Sequence, residues 1–428
     1  MTTRDQTAPG ATRRGFLRGA GLAAGASLAA GPALALETPQ PQQGATAAIE
    51  PFYGAHQSGI VTPAQAHTYL AAFDLIADKR DDVAKLMRRW TRAAAALSIG
   101  EPVEVPGEKD YSAALDPMDV AGLGPSRLTL TFGFGAGLFV KDGHDRYGLS
   151  SQRPEAFVDL PNFPGDQLAP ARTGGDLFVQ ACADNPQVAF HAIRQLSGLA
   201  YGLAQIRWVQ AGFVSDYGKQ TPRNLMGFKD GTGNPRTDNA EDMDKVVWAG
   251  EEAPSWMRGG SYLVVRRARM ALEHWDRMNV AFQEQTFGRQ KLSGAPLGAR
   301  DEFDPIDMAA TDSNGEALTP ENSHVRIAHQ AAIDGARILR RSYSYNDGAN
   351  VTAERWPPWR QGMEFDAGLV FLCYQRDPRN GFIKIFDKMS RFDMMNQFVT
   401  NTGGGHFACP PGTPKGEYIG QRLFEAGA

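Results

Sequence analysis

Gly175-Asp-Leu-Phe-Val-Gln-Ala-Cys-Ala-Asp184 and Gly368-Leu-Val-Phe-Leu-Cys-Tyr-Gln-Arg-Asp377 run from Gly to Asp over the same spacing. Each is an apolar run of strand composition bounded by turn-forming residues. Each enters a helical pattern near a proline, Pro186 and Pro378, and each of those helices carries an early phenylalanine, Phe190 and Phe382. The pair reads as an internal repeat of one strand–helix unit. Two unrelated strand–helix units would look alike too, because such units are common.

Working outward, Phe73 to Ala77 is a short apolar strand. Asp81 to Leu97 has helical spacing, with Val83, Leu86, Met87 and Trp90 on one face. Arg127 to Phe134 alternates as a strand, and Asp176 to Ala183 is the next. Asn185 to Leu199 is a helix with Pro186 in its first turn, and Arg207 to Phe213 is a closing strand. The order is β-α-β-β-α-β, the ferredoxin-like pattern. Ser261 to Arg267 resembles the strand at Arg127, and a helix is expected from Met270. The predicted fold class is therefore α+β, with two ferredoxin-like halves, residues 50–222 and 223–428, whose antiparallel sheets face each other. The segment from Thr286 to Glu321 is rich in Gly, Pro and Asp and has little periodicity. A loop that long in a compact domain is usually functional or disordered.

The chain has 428 residues, 42% hydrophobic and 21% charged, which describes a globular protein of two domains or one large one. A formal charge of −4 gives no basic footprint for nucleic acid. Thr12-Arg13-Arg14-Gly15-Phe16-Leu17 is a twin-arginine signal, followed by a Gly- and Ala-rich apolar run from Gly19 to Leu34. Ala33-Leu34-Ala35 matches the small-x-small cleavage rule, placing the cut after Ala35. The run is too short and too mildly apolar for a membrane anchor. Residues 1–35 carry four arginines against Asp5, so removing them takes the formal charge from −4 to −7. Residues 36–49 read as a flexible leader. Export by this route takes folded protein, periplasmic or extracellular, and is typical of enzymes loaded with a cofactor beforehand. Cys182, Cys373 and Cys409 cannot form a full disulfide framework, and no CxxC or CxxCH occurs.

Gly227-Phe-Lys-Asp-Gly-Thr-Gly-Asn-Pro235 sets one carboxylate, Asp230, among glycines and closes on a proline. Glycine lets backbone approach a bound group, and Asp-Gly is equally a common turn dipeptide. Of eight histidines, His67, His191 and His274 lie in helical patterns, where a satisfied structural role is favoured, and His144 reads as a hairpin tip. His56 and His406 lie in Gly-flanked segments. His324 stands in Ser323-His-Val-Arg-Ile-Ala328, at the end of the long insert, sixteen residues before Arg340 in Ile338-Leu-Arg-Arg341.

These three motifs in this order, with the twin-arginine signal, resemble the dye-decolourising peroxidases, and closest the exported deferrochelatase/peroxidase branch that accompanies some bacterial ferrous-iron uptake systems. Pro51 to Pro63 and Thr286-Phe-Gly-Arg-Gln-Lys-Leu-Ser-Gly-Ala-Pro-Leu-Gly298 are similar to the start and the centre of that branch. The resemblance runs from about residue 50 to the C-terminus. It implies paired ferredoxin-like halves with haem b (iron protoporphyrin IX) held mainly by the second. It puts the proximal iron ligand on His324, with His329 as second choice. It makes Asp230 the distal acid–base residue and Arg340 the cation that stabilises charge leaving with the outer peroxide oxygen. The backbone of Gly231, Thr232 and Gly233 would lie against the haem, and Leu369 and Phe371 would wall the distal pocket, unless they are plain sheet core. Tyr343, Tyr345, Trp356, Trp359 and Tyr374 are candidates for carrying electrons, and aromatic packing explains them equally well.

The implied reaction reduces hydrogen peroxide and oxidises dyes, phenols or ferrous iron. The alternatives are a deferrochelatase that releases iron from haem with the porphyrin intact, and a haem carrier without turnover. A carrier needs neither Asp230 nor Arg340. The implied partners are components of an iron-uptake system and further copies of the chain, with no nucleic acid and no stable membrane insertion.

Overall fold

A computed structural model of the protein describes residues 48–103, 116–215, 220–353 and 361–426. The expected signal segment, most of the expected leader, Trp356 and Trp359 lie outside the described residues.

The first half runs β1 (His67–Leu75), α1 (Arg80–Ser98), β2 (Thr129–Gly135), β3 (Leu177–Ala183), α2 (Pro186–Leu199) and β4 (Ala204–Phe213). Its strands pair antiparallel in the spatial order β4-β1-β3-β2. β1 begins six residues earlier than its apolar content predicts. His67-Thr-Tyr-Leu-Ala-Ala72 holds weak strand formers, and pairing on both edges overrides that preference. α1 buries Val83, Leu86, Met87 and Trp90 against Phe73, Phe132 and Val179 of the sheet. Asn185 caps α2, its side chain accepting from the Gln187 N–H, with Pro186 in the first turn.

The second half contributes β5 (Ser261–Met270), β7 (Tyr343–Ala353), β8 (Gln361–Gln375), α6 (Phe382–Phe392) and β9 (Val399–Cys409). The order β9-β5-β8-β7 repeats that of the first half. The two sheets also join at their edges: Phe134 and Gly135 of β2 pair with Ala408 and Phe407 of β9, and Phe213 of β4 pairs with Ser344 of β7. Facing sheets thus close into one barrel-like arrangement. Its interior is filled by Leu70, Phe178, Val265, Leu372, Tyr374 and Phe407, among others.

The helix expected from Met270 is not the long one of the repeat. β5 runs through Met270 and is followed by α3 (Leu272–Trp275) and α4 (Val280–Phe287), four and eight residues long. Trp275 sinks into a cluster with Phe228, Phe287 and Phe398, which ends the first piece, and Gly288 closes the second in the left-handed conformation at φ 84°. The insert then passes to α5 (His324–Ile327) and to the two-residue β6 (Leu339–Arg340), paired with Tyr374 and Cys373 of β8. Cys182, Cys373 and Cys409 are buried free thiols. Among the described residues no helix is long and apolar enough to cross a membrane.

Candidate active site

Asp230 is placed by a closed hairpin. Arg223 and Lys229 bridge antiparallel, the Asp230 N–H donates to Pro222 O at 2.8 Å, and the Asn224 side chain accepts from the Met226 and Phe228 amides. Gly227 turns the hairpin at φ 87° and Gly231 leaves it at φ 129°, values that side chains with a Cβ rarely adopt. The Arg223 guanidinium ties the hairpin to the insert by donating to Gly227 O at 2.8 Å and to Lys291 O and Leu292 O at 2.6 Å each.

Arg340 meets Asp230 across 110 positions of sequence. Its Nη1 donates to Asp230 Oδ1 at 3.0 Å. Alternation on the strand decides which arginine does this. Arg341 turns into the barrel and donates to Thr62 O and Gln65 Oε1, so Arg340 takes the other face. Asn234 clamps the arginine's backbone, donating to Arg340 O at 2.7 Å and accepting from Arg340 N at 3.1 Å.

His324 Nδ1 lies 2.6 Å from Asp393 Oδ2. A carboxylate only accepts here, so Nδ1 carries the hydrogen and Nε2 is the nitrogen left to meet a bound group. Asp393 is itself fixed, its side chain 2% exposed and its Oδ1 accepting from the Met395 amide at 2.8 Å. Burial works against a charged imidazole, but the Asp393 carboxylate outweighs it and holds His324 above the ordinary histidine range. The charges of Asp230 and Arg340 also reach this imidazole, the first raising and the second lowering its proton affinity. All three groups therefore share one space.

That space is a hollow. His324 lies deep in the fold, yet its side chain keeps 32% of its surface exposed, with 28% for Arg340 and 21% for Asp230. A Cβ added at Gly233 would meet no atom within 4 Å, and one at Gly231 only Thr221 at 3.6 Å. Thr232 turns the other way and donates to Glu302 Oε1 at 2.8 Å, while Lys229 pairs with Glu302 Oε2. Leu369 and Phe371 stand on one face of β8, half-buried, opposite the Val370, Leu372 and Tyr374 face that fills the barrel. His329 caps a short turn, its Nδ1 accepting from the Ala331 amide at 3.3 Å. Phe228 stacks on Phe287 at 3.9 Å between ring centres, and Phe287 lies 5.8 Å from His324, so one aromatic stack ties the Asp230 loop to the histidine.

The donor set suits a haem. A neutral imidazole with an orienting carboxylate on its other nitrogen is a good iron ligand. A carboxylate and a cation face the same hollow, and glycines leave room for a flat group. Asp393, Asn234 and Glu302 carry no signal of these roles in the sequence; only Asn234, inside the quoted nonapeptide, stood near one. Arg289 is a further addition. Burial pushes its guanidinium below the ordinary value, Glu302 opposes this, and the nearby charge of Arg340 adds to it.

Comparison with known proteins gives the family. The N-terminal family model of Dyp-type peroxidases matches residues 57–214 and the C-terminal model matches residues 221–414. Deferrochelatase of Escherichia coli (strain K12) is 37% identical over 390 residues, covering 88% of this chain and 87% of that protein. A DyP-type peroxidase from Streptomyces coelicolor superposes with a TM-score of 0.81 at 41% identity, covering 90% of this chain and 100% of its own. Ferric DtpA from Streptomyces lividans superposes with a TM-score of 0.80 at 40% identity, with the same coverage. The chain belongs to the Dyp-type peroxidase family, haem-dependent oxidoreductases that use peroxide as electron acceptor.

Proposed function

We propose that His324, Asp230 and Arg340 form the reaction centre of this peroxidase, with haem b held by His324 Nε2. The observation that carries the reading is the 3.0 Å contact between Asp230 and Arg340, with His324 nearby and its Nδ1 engaged by the buried Asp393 carboxylate. Haem, when bound, supplies the iron that accepts oxidising equivalents from peroxide. Asp230 takes a proton from the inner peroxide oxygen on a carboxylate oxygen and returns it to the outer one. The Arg340 guanidinium, cationic at any working pH, stabilises the negative charge that gathers on the departing oxygen. Asn234 keeps the Arg340 backbone in register with the Asp230 loop, and Asp393 keeps the His324 ring from turning. Gly231 and Gly233 would leave room for a bound haem, and Leu369 and Phe371 would wall the pocket beside it. Arg289 and Arg340 would supply positive charge for the carboxylates of a bound haem.

The donors of this reading are phenols, dyes or ferrous iron. The 37% identity to proteins named deferrochelatase supports iron release from haem as the second reading. The Arg13-Arg14 pair supports export of the folded, haem-loaded protein, and lysines in place of both should leave active protein in the cytoplasm. The deciding experiment is an absorbance spectrum of the purified protein before and after hydrogen peroxide, with a phenolic donor added next. A Soret band that changes with peroxide and returns with donor supports peroxidase turnover. A band that peroxide leaves unchanged, with no donor oxidised, overturns it. Metal-free porphyrin accumulating instead favours iron release.

A further inference from the structure

The helical layer of the first half holds a cluster that peroxide chemistry does not use. His191, on α2, is 1% exposed. Its Nδ1 lies 2.6 Å from Asp119 Oδ1 and donates to it. Its Nε2 is buried without a hydrogen-bond partner and faces Asp116 Oδ1 at 3.8 Å. That separation is too long for a hydrogen bond, so an imidazolium donating to Asp116 does not account for the arrangement. One ligand atom from each of the three residues lies within 4.8 Å of the others. The carboxylates are held in place from outside the cluster. Asp116 Oδ1 accepts from the Met118 amide at 2.8 Å, Arg194 approaches Asp119 Oδ2 at 3.4 Å, and Gln187 donates to the Asp119 carbonyl.

The geometry points to a divalent-cation site at Asp116, Asp119 and His191, of the kind that takes zinc. Zinc–nitrogen and zinc–oxygen bonds of about 2.0–2.2 Å at a tetrahedral angle bring the two ligand atoms to about 3.4 Å, a few tenths below the gap between Nε2 and Asp116. Nε2 and Asp116 are the direct ligands, and water completes the shell on the solvent side. Asp119 plays toward His191 the part of the carboxylate that orients a ligating imidazole and fixes which nitrogen binds. The mixed nitrogen–oxygen donor set selects zinc or its first-row neighbours over calcium or magnesium. The site sits on the first half, built from residues 116–191, and owes nothing to the haem hollow of the second.

The test uses the full haem-loaded chain, freed of loose metal with a chelator and titrated with zinc chloride. Zinc retained on gel filtration is counted by elemental analysis, which haem iron does not disturb, and the melting temperature is followed alongside. The parent should hold a single zinc ion per chain and melt at higher temperature with it. Asp116→Asn keeps the side-chain volume and should lose both the ion and the shift, with the haem spectrum unchanged. Asp119→Asn should weaken zinc binding by about 10–100-fold. Cobalt in the parent should give the intense visible bands of a four-coordinate site, a readout that needs no variant to fold. A parent that leaves the column without zinc overturns the proposal. So does an Asp116→Asn chain that holds zinc as tightly as the parent, or cobalt that shows only the weak bands of the hydrated ion.

Discussion

The two halves share one strand order and differ in what covers their sheets. In the first, α1 and α2, 19 and 14 residues long, lie on the sheet and seal it with Leu86, Met87, Trp90 and Leu196. In the second, the equivalent of α1 is broken into α3 and α4, and residues 288–338 run as loops apart from α5 and one 3₁₀ turn. The uncovered stretch is where Asp230, His324 and Arg340 gather. A long helix seals a sheet because its side chains interdigitate with the strands, and a sealed sheet has no room for a ligand. Dissolving that helix costs packing and opens a hollow. The equivalent phenylalanines of the repeat show the same divergence. Phe190 is 41% exposed, whereas Phe382 is buried against Phe163 and Phe386.

If the second half is the reactive one, changes there should act on haem and peroxide while changes in the first should act on stability. The largest effect is expected from His324→Ala, which should fold but retain almost no haem, read as loss of the Soret band. His329→Ala should keep it, and the reverse result would move the ligand. Next come Asp230→Asn and Arg340→Leu. Loss of an acid–base group costs about 10²–10⁴ in rate, and loss of a charge-stabilising group about 10²–10³. Rapid mixing with peroxide reads both. Because the two side chains touch, the double variant should lose less than the product of the single losses. Additive losses would mean that they act separately.

Asp393→Asn should be milder, about 10–100-fold in haem affinity or activity, because the ligand stays while its orientation loosens. Asn234→Ala removes two hydrogen bonds to the Arg340 backbone, each worth about 0.5–1.5 kcal/mol. It should lower the rate with peroxide by less than Arg340→Leu does and leave the Soret band intact. The control on the first half is Trp90→Ala. It should destabilise by about 3–5 kcal/mol, read by denaturant unfolding, with unchanged peroxide kinetics in the folded fraction. A changed haem spectrum in that variant would blur the division between the halves.

Some of this was legible because it is periodic or local. The alternation of Arg127 to Phe134, the helical face of Val83, Leu86, Met87 and Trp90, and Pro186 in the first turn of α2 each follow from the chain's own geometry. Asp230 stood out because glycines on both sides of a carboxylate are a local signature of a special backbone. That Arg340 and Arg341 face opposite ways is local once a strand is granted, but which of them meets Asp230 came from the resemblance and not from the alternation.

What the sequence determined by itself is therefore the β-α-β-β-α-β order, its repetition and the loop that offers Asp230. The tertiary structure decided the rest. It joined the two sheets at their edges, where Phe213 meets Ser344 and Phe134 meets Ala408. It broke the helix expected from Met270, because pairing carries β5 through that residue and Trp275 then packs into the core with Phe228, Phe287 and Phe398. It brought Asp393 to His324 across 69 positions and Glu302 to Lys229 across 73. Contacts of that range have no period and no local propensity to announce them. They exist only where the packed chain holds both partners within a hydrogen bond of each other.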